Sequence, residues 1–345
     1  MKKTSLSLGT LALLSPLALQ AGEDCCPPRN SCCEDCCHEQ LFVEQSQLFL
    51  TGEFLYWTVE EGAVDYAIRM NKETPAQKTA PIGDYKSADF EFDPGFRVSL
   101  GWYNCPKYWE LTGQYTWLKS KGSDSASKPD DPNLFLNPTW STFPNTAPYV
   151  KAESSIELKY QLGDLYVARV FDPNPHLRMR FIGGLTVAVI EQDWDFSYTN
   201  EAEGVDRYKN EWCFTGGGVR LGTTIDWFWG YGFYLTGRVT VASLVGSYEN
   251  KANQTNFDGE CIRAGKFEET RFSFHTQFLL GPSWQCPCDC WSFELFAGYE
   301  FNSWFNLHEV YRIPSINPQD DPKPTILNRS LLGMHGLTVR LTLGF

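Results

Sequence analysis

The chain has 345 residues, with 29 basic against 42 acidic side chains, a formal charge of −13 and a mean hydropathy of −0.33. Aromatic residues reach 15%, a mass that must be buried and so excludes a disordered polymer, and the acidic balance excludes a nucleic-acid partner, which needs clustered Lys and Arg. Beyond the N-terminus the longest apolar run is Phe181 to Ile190, ten residues with two Gly, too short for a helix that crosses a bilayer.

In chain order, residues 1–21 read as a secretory signal: Lys2 and Lys3, an apolar stretch from Leu6 to Leu19, and a small residue at Ala21. Its removal leaves a charge of −15. Residues 22–46 form a cysteine-rich segment expected in the periplasm, with Cys25, Cys26, Cys32, Cys33, Cys36 and Cys37. The chain holds 12 Cys in all, the others being Cys105, Cys213, Cys261, Cys286, Cys288 and Cys290. An exported chain with an even count permits disulfides. Adjacent cysteines rarely bridge each other, so three readings stand: intermolecular cross-links, a metal cluster including His38, or intrachain staples. The oxidising compartment favours disulfides over metal, and no metal or cofactor is expected.

Residues 47–345 alternate with period two. The last segment is the clearest: Leu337, Val339, Leu341, Leu343 and Phe345 oppose Gly336, Thr338, Arg340, Thr342 and Gly344. Several segments alternate for ten or more residues, the length of a membrane strand rather than of a soluble sandwich strand, and Trp109, Trp117 and Trp291 sit where interfacial girdles are expected. This predicts an all-β fold, an antiparallel transmembrane β-barrel. Ten strands are expected, near 47–70, 88–104, 108–120, 152–171, 176–198, 207–225, 231–248, 267–284, 291–311 and 334–345. A hidden hairpin at Trp57 to Gly62 would raise the count to 12, and a phase slip at Gly163 and Asp164 points to a bulge. Tight turns are expected at Asn104–Lys107, Asp172–His176, Asp226–Gly230 and Gln285–Cys290, alternating with long polar loops near 71–87, 121–151, 199–207, 249–267 and 312–333. Short periplasmic turns and long external loops are the barrel rule. It places the six leader cysteines, Cys105, Cys286, Cys288 and Cys290 on the periplasmic side, as an attachment face, with Cys213 in a strand and Cys261 in a long loop.

Several stretches then resemble a known family: FLYWTVEEG (54–62), FDPGFRVSLG (92–101), GDLYVAR (163–169), LRMRFIGGL (177–185), AGYEFNSWFN (297–306) and GLTVRLTLGF (336–345). In this order they resemble the major outer membrane proteins of the Legionella type, with relatives in environmental chlamydiae. The resemblance implies a surface-abundant barrel of the outer membrane of a Gram-negative-type bacterium, with pore-forming activity and disulfide cross-linking in the envelope. The terminal Phe345 resembles the assembly signal on which such barrels end.

If the apolar faces meet lipid, the lumen carries Arg97, Arg178, Arg180, Arg220, Arg238, Arg271 and Arg340 with Glu110, Glu294 and Glu300. Opposed charges set a field that selects solutes; the same residues as a salt-bridge network would plug a narrow barrel. No enzyme is expected. His308 beside Glu309, and Asp320–Asp321, are the only rim candidates, and neither a GxSxG elbow nor an HExxH motif occurs. The Asp130–Asp131 and Asp320–Asp321 pairs read as solvated turns rather than cation sites, and Gly216 to Gly218 as room for a bulky neighbour. The expected function is passive diffusion of small hydrophilic solutes with envelope stabilisation through periplasmic disulfides; the alternative is a non-conducting structural or adhesion barrel. Expected partners are outer-membrane lipid, disulfide-linked envelope proteins or further copies of the chain, and a homo-oligomer.

Overall fold

The computed structural model describes residues 47–72, 82–104, 107–139, 149–202, 204–287, 291–312 and 326–345. The signal and the cysteine-rich leader lie outside them. The described residues form thirteen strands: β1 (Gln47–Glu61), β2 (Asp65–Lys72), β3 (Ile82–Ser87), β4 (Asp93–Asn104), β5 (Trp109–Ser127), β6 (Leu136–Pro138), β7 (Tyr149–Asn174), β8 (Leu177–Asn200), β9 (Val205–Gly230), β10 (Phe233–Thr255), β11 (Cys261–Pro287), β12 (Ser292–Arg312) and β13 (Ile326–Gly344). Ten close into an antiparallel ring, β1-β4-β5-β7-β8-β9-β10-β11-β12-β13 and back to β1. The closing seam pairs β1 with β13 from Phe49↔Gly344 to Glu61↔Leu332, and Phe345 exchanges both backbone hydrogen bonds with Leu48. Closure leaves no ring edge unpaired, which is the condition for a sheet to stand in hydrocarbon.

Alternation decides which side chains meet lipid. On β4, Phe96, Val98, Leu100 and Trp102 are exposed while Arg97, Ser99 and Tyr103 are buried. Exposed aromatics gather toward both ends of this apolar band: Trp102, Trp109, Trp227, Trp229 and Trp291 near the short turns, and Tyr56, Phe92, Phe272, Phe274, Phe301 and Phe305 nearer the other end. These are the two girdles of a membrane barrel.

Toward the long-loop end the amphipathicity inverts. On β7, outward Leu165, Val167 and Phe171 give way to outward Glu153, Glu157 and Lys159, while inward Asp164 gives way to inward Leu162, Tyr160, Leu158 and Ile156. The ladder is regular across Gly163 and Asp164 on both neighbours, so the expected bulge is absent. The pattern changes because the outward face passes from lipid to water. Above the apolar band, Lys119, Glu157, Lys159, Asp193, Lys209, Glu211, Glu249, Lys251, Lys266 and Glu268 form ion pairs around the outside of β5 and β7 to β11.

Three further sequence expectations are corrected. The loops expected at 199–207 and 249–267 are mostly strand: β8 turns into β9 over 201–204, and β10 into β11 over 256–260, so Cys261 opens β11. Asp226 to Gly230 is the end of β9, and the turn is Tyr231–Gly232. Asp226 points inward and meets Arg180. No hairpin forms at Trp57 to Gly62, where β1 runs on to Glu61; a different pair, β2–β3, follows where a strand end and the 71–87 loop were expected, and it stands outside the ring and pairs with β6, so the barrel count stays at ten. Together with the long-loop ends of β7 to β9 these strands bury a second apolar cluster, including Tyr66, Leu136, Tyr149, Ile156, Trp194, Phe196 and Tyr198. It caps that mouth.

Candidate functional site in the barrel lumen

The lumen has three levels, each dictated by the inward residues of the strands that reach it. At the short-turn end is a vestibule of about 130 Å³, open to solvent, lined among others by Thr51, Glu53, Glu110, Tyr166, Arg178, Arg180, Arg238, Glu294 and Arg340. Apart from Arg238, its charges are paired. Arg340 donates to Glu294 at 2.9 Å, Arg178 donates to Asp172 at 2.9 Å, and Arg180 lies 3.0 Å from Asp226 and 3.7 Å from Glu110.

Above the vestibule is a closed ionic layer. Arg97 Nη1 donates to Glu53 at 2.5 Å, and its Nη2 to Glu300 at 2.8 Å, while its Nε donates to Thr116. Glu300 also accepts from Gln277 at 2.6 Å, Thr338 at 3.0 Å and Asn302 at 3.2 Å. Arg220 stands 2.9 Å from Asp164 and donates to Thr240 at 2.8 Å. These groups have almost no exposure. A buried ion pair is tolerable only when its remaining lone pairs and protons are met, and around Glu300 they are.

The third level is apolar. Leu55, Trp57, Leu118, Leu158, Tyr160, Ile190, Trp212, Phe214, Leu244, Tyr248, Trp304, Leu307 and Met334 form one buried cluster drawn from eight of the ten ring strands. Tyr160 on β7 and Trp304 on β12 have ring centroids 6.2 Å apart. Those two strands lie on opposite sides of the ring, so the contact spans the lumen and closes it. Gly216 makes the space: a Cβ there would stand 2.5 Å from the Phe214 ring. The Gly-Gly-Gly run is thus a packing device.

All ten residues expected to line the lumen point inward, but at different levels. Glu110, Arg178, Arg180, Arg238, Glu294 and Arg340 line the vestibule. Arg97, Arg220 and Glu300 belong to the closed ionic layer. Arg271 lies at the far side of the apolar level, where it donates to Glu309 at 2.5 Å and sits 3.5 Å over the Tyr248 ring. The rim pairing of His308 with Glu309 is not formed. A register shift between Trp304 and His308, with Asn306 at φ +58°, turns His308 inward. There its Nδ1 lies 2.8 Å from Glu61 and its Nε2 3.1 Å from the Gly62 carbonyl, both side chains fully buried. Sequence reasoning missed Glu53, Asp164, Asp172 and Asp226 as acids of the lower lumen. Asp226 could have been found from the phase of β9, since it shares parity with Arg220.

Of the cross-linking candidates, Cys286 is buried near the short-turn end of β11 and is disulfide-bonded. Cys25, Cys26, Cys32, Cys33, Cys36, Cys37, Cys105, Cys288 and Cys290 lie outside the described residues, as do Asp320 and Asp321. Cys213 is a free thiol on the outward face of β9.

A closed antiparallel ring with a girdled apolar exterior and a charged interior is an outer-membrane β-barrel. The family described as Legionella pneumophila major outer membrane protein precursor matches residues 43–345, and the chain belongs to that family. Its place is therefore the outer membrane. No curated protein matches the chain. Among solved structures, the outer membrane protease OmpT of Escherichia coli is similar at 11% identity over 87% of this chain and 96% of that one, with a TM-score of 0.35. The outer-membrane expressed OmpT of Vibrio cholerae is similar at 10% identity over 89% and 100%, with a TM-score of 0.12.

Proposed function

We propose that the barrel is a gated diffusion pore for small hydrophilic solutes, in which the charged vestibule receives the solute and the apolar level is the gate. The observation that carries this reading is the division of one lumen into two chemistries. The upper lumen packs apolar side chains at essentially zero exposure, so this ring can be filled without charge. Filling the vestibule likewise would be at least as stable, since buried ion pairs rarely outperform apolar packing. The charged lower lumen is then kept for what passes or binds there. An apolar constriction closes by excluding water and opens when its side chains part.

A second reading has its own observation. The Tyr160–Trp304 contact joins opposite walls of the ring within a cluster of near-zero exposure, as in a purely structural barrel. Swelling of liposomes holding the refolded full chain in isotonic small sugars separates the two. Swelling supports the pore; none, from protein with the heat-modifiable gel mobility of a folded barrel, supports the structural reading.

The cysteine-rich leader is the source of an envelope-stabilising role through disulfides on the periplasmic side, since Cys286 is already bonded in the single chain. Envelope fractions run on non-reducing gels should show high-mass species that collapse with reductant. Identical migration with and without reductant removes that role.

A further inference from the structure

We infer that the vestibule contains a binding site for a small oxyanion, a carboxylate or a phosphate, at Arg238. This deepens the pore reading by naming the class of solute, but the binding site itself does not depend on conduction.

The argument is one of pairing. Among the described residues seven carboxylates face the lower lumen: Glu53, Glu110, Asp164, Asp172, Asp226, Glu294 and Glu300. Each stands within ion-pair distance of Arg97, Arg178, Arg180, Arg220 or Arg340. The sixth arginine of that region is the exception. Among the described residues Arg238 has no carboxylate within 4.0 Å and makes no hydrogen bond, and its Nε is buried without a partner. Its strand register sets it between Thr224 on β9 and Leu279 on β11, neither of them a counter-charge. It nevertheless lines the vestibule, beside Tyr166 and within reach of solvent.

A guanidinium half withdrawn from water with no acceptor is costly. Its planar fork matches an oxyanion in a two-pronged contact. The seven acids do not forbid this, because each is already engaged. If they acted instead through their excess of one negative charge, the vestibule would prefer cations, which gives the test its opposite outcome.

The full mature chain, folded in detergent, is titrated with inorganic phosphate and, separately, with acetate by isothermal calorimetry. One phosphate site is expected, weakened about tenfold or more in Arg238→Gln and less in Arg238→Lys. A Lys119→Gln barrel, altered only on the outer surface, should bind as the parent does. Arg238→Lys carries the test if Arg238→Gln does not fold. Reversal potentials in planar bilayers add the second arm: anion preference in the parent, lost in Arg238→Gln. Phosphate binding by a barrel that never conducts would remove the pore while leaving the site. No phosphate binding, equal binding by both Arg238 variants and the parent, or a cation preference indifferent to Arg238 would overturn the site.

Discussion

Arg97 is the residue on which the ionic layer turns, because it alone holds both Glu53 and Glu300. Replacing it with Met leaves the buried Glu300 without a cation and Glu53 with only Arg340, 3.9 Å away, a loss of about 3–5 kcal/mol. A lowered urea midpoint, followed by Trp fluorescence, is the expected result. Adding Glu53→Gln and Glu300→Gln should recover most of it, since the layer then holds no carboxylate deprived of Arg97 and keeps only the Arg220–Asp164 pair. His308 and Glu61 make a second residue-scale case. His308 Nε2 donates to the Gly62 carbonyl, and its Nδ1 lies 2.8 Å from the Glu61 carboxylate without forming a hydrogen bond. Glu61→Gln offers Nδ1 an amide donor and should stay within about 1 kcal/mol of the parent. His308→Phe strands the Glu61 carboxylate and should lose about 3 kcal/mol in the same unfolding experiment.

At the scale of elements, the β9–β10 turn gives the sharpest prediction. Gly232 has φ +79°, and a Cβ there would lie 2.2 Å from the Gln285 carbonyl on the neighbouring strand. Gly232→Ala therefore meets both backbone strain and a clash, and should slow refolding and cost more than about 1 kcal/mol. Tyr231, at φ +53°, is the opposite case: Tyr231→Asn suits that conformation and should be neutral or stabilising in the same assay. This turn also shows what the sequence hides. The run from Asp226 to Gly230 has the residues of a turn, yet Asp226 is an inward acid of β9. A charge that is satisfied inside a barrel carries the same letter as one in a loop. In the same way the polar stretches near 199–207 and 249–267 resemble loops because strands that rise out of lipid turn a polar face to water. Ten strands and the inward arginines were legible, since period two survives wherever one face meets hydrocarbon. The apparent slip at Gly163 and Asp164 was the boundary where that contrast reverses.

At the scale of the molecule, the ring is a membrane anchor whose lumen changes character along its axis, from an open charged vestibule through a closed ionic layer to an apolar level. None of the single segments announces that level. Leu158, Trp212, Leu244 and Trp304 come from four strands widely spread in the chain, and only closure of the ring brings them together. The central claim is that this apolar level opens. Single-channel recording of the refolded mature chain in planar bilayers, beside a Leu244→Asn variant, tests it most directly. The parent should show brief stepwise openings, and the variant should dwell longer in the open state because a polar side chain at the constriction holds water. A folded parent that never conducts would contradict the account and leave a barrel that only anchors and braces the envelope.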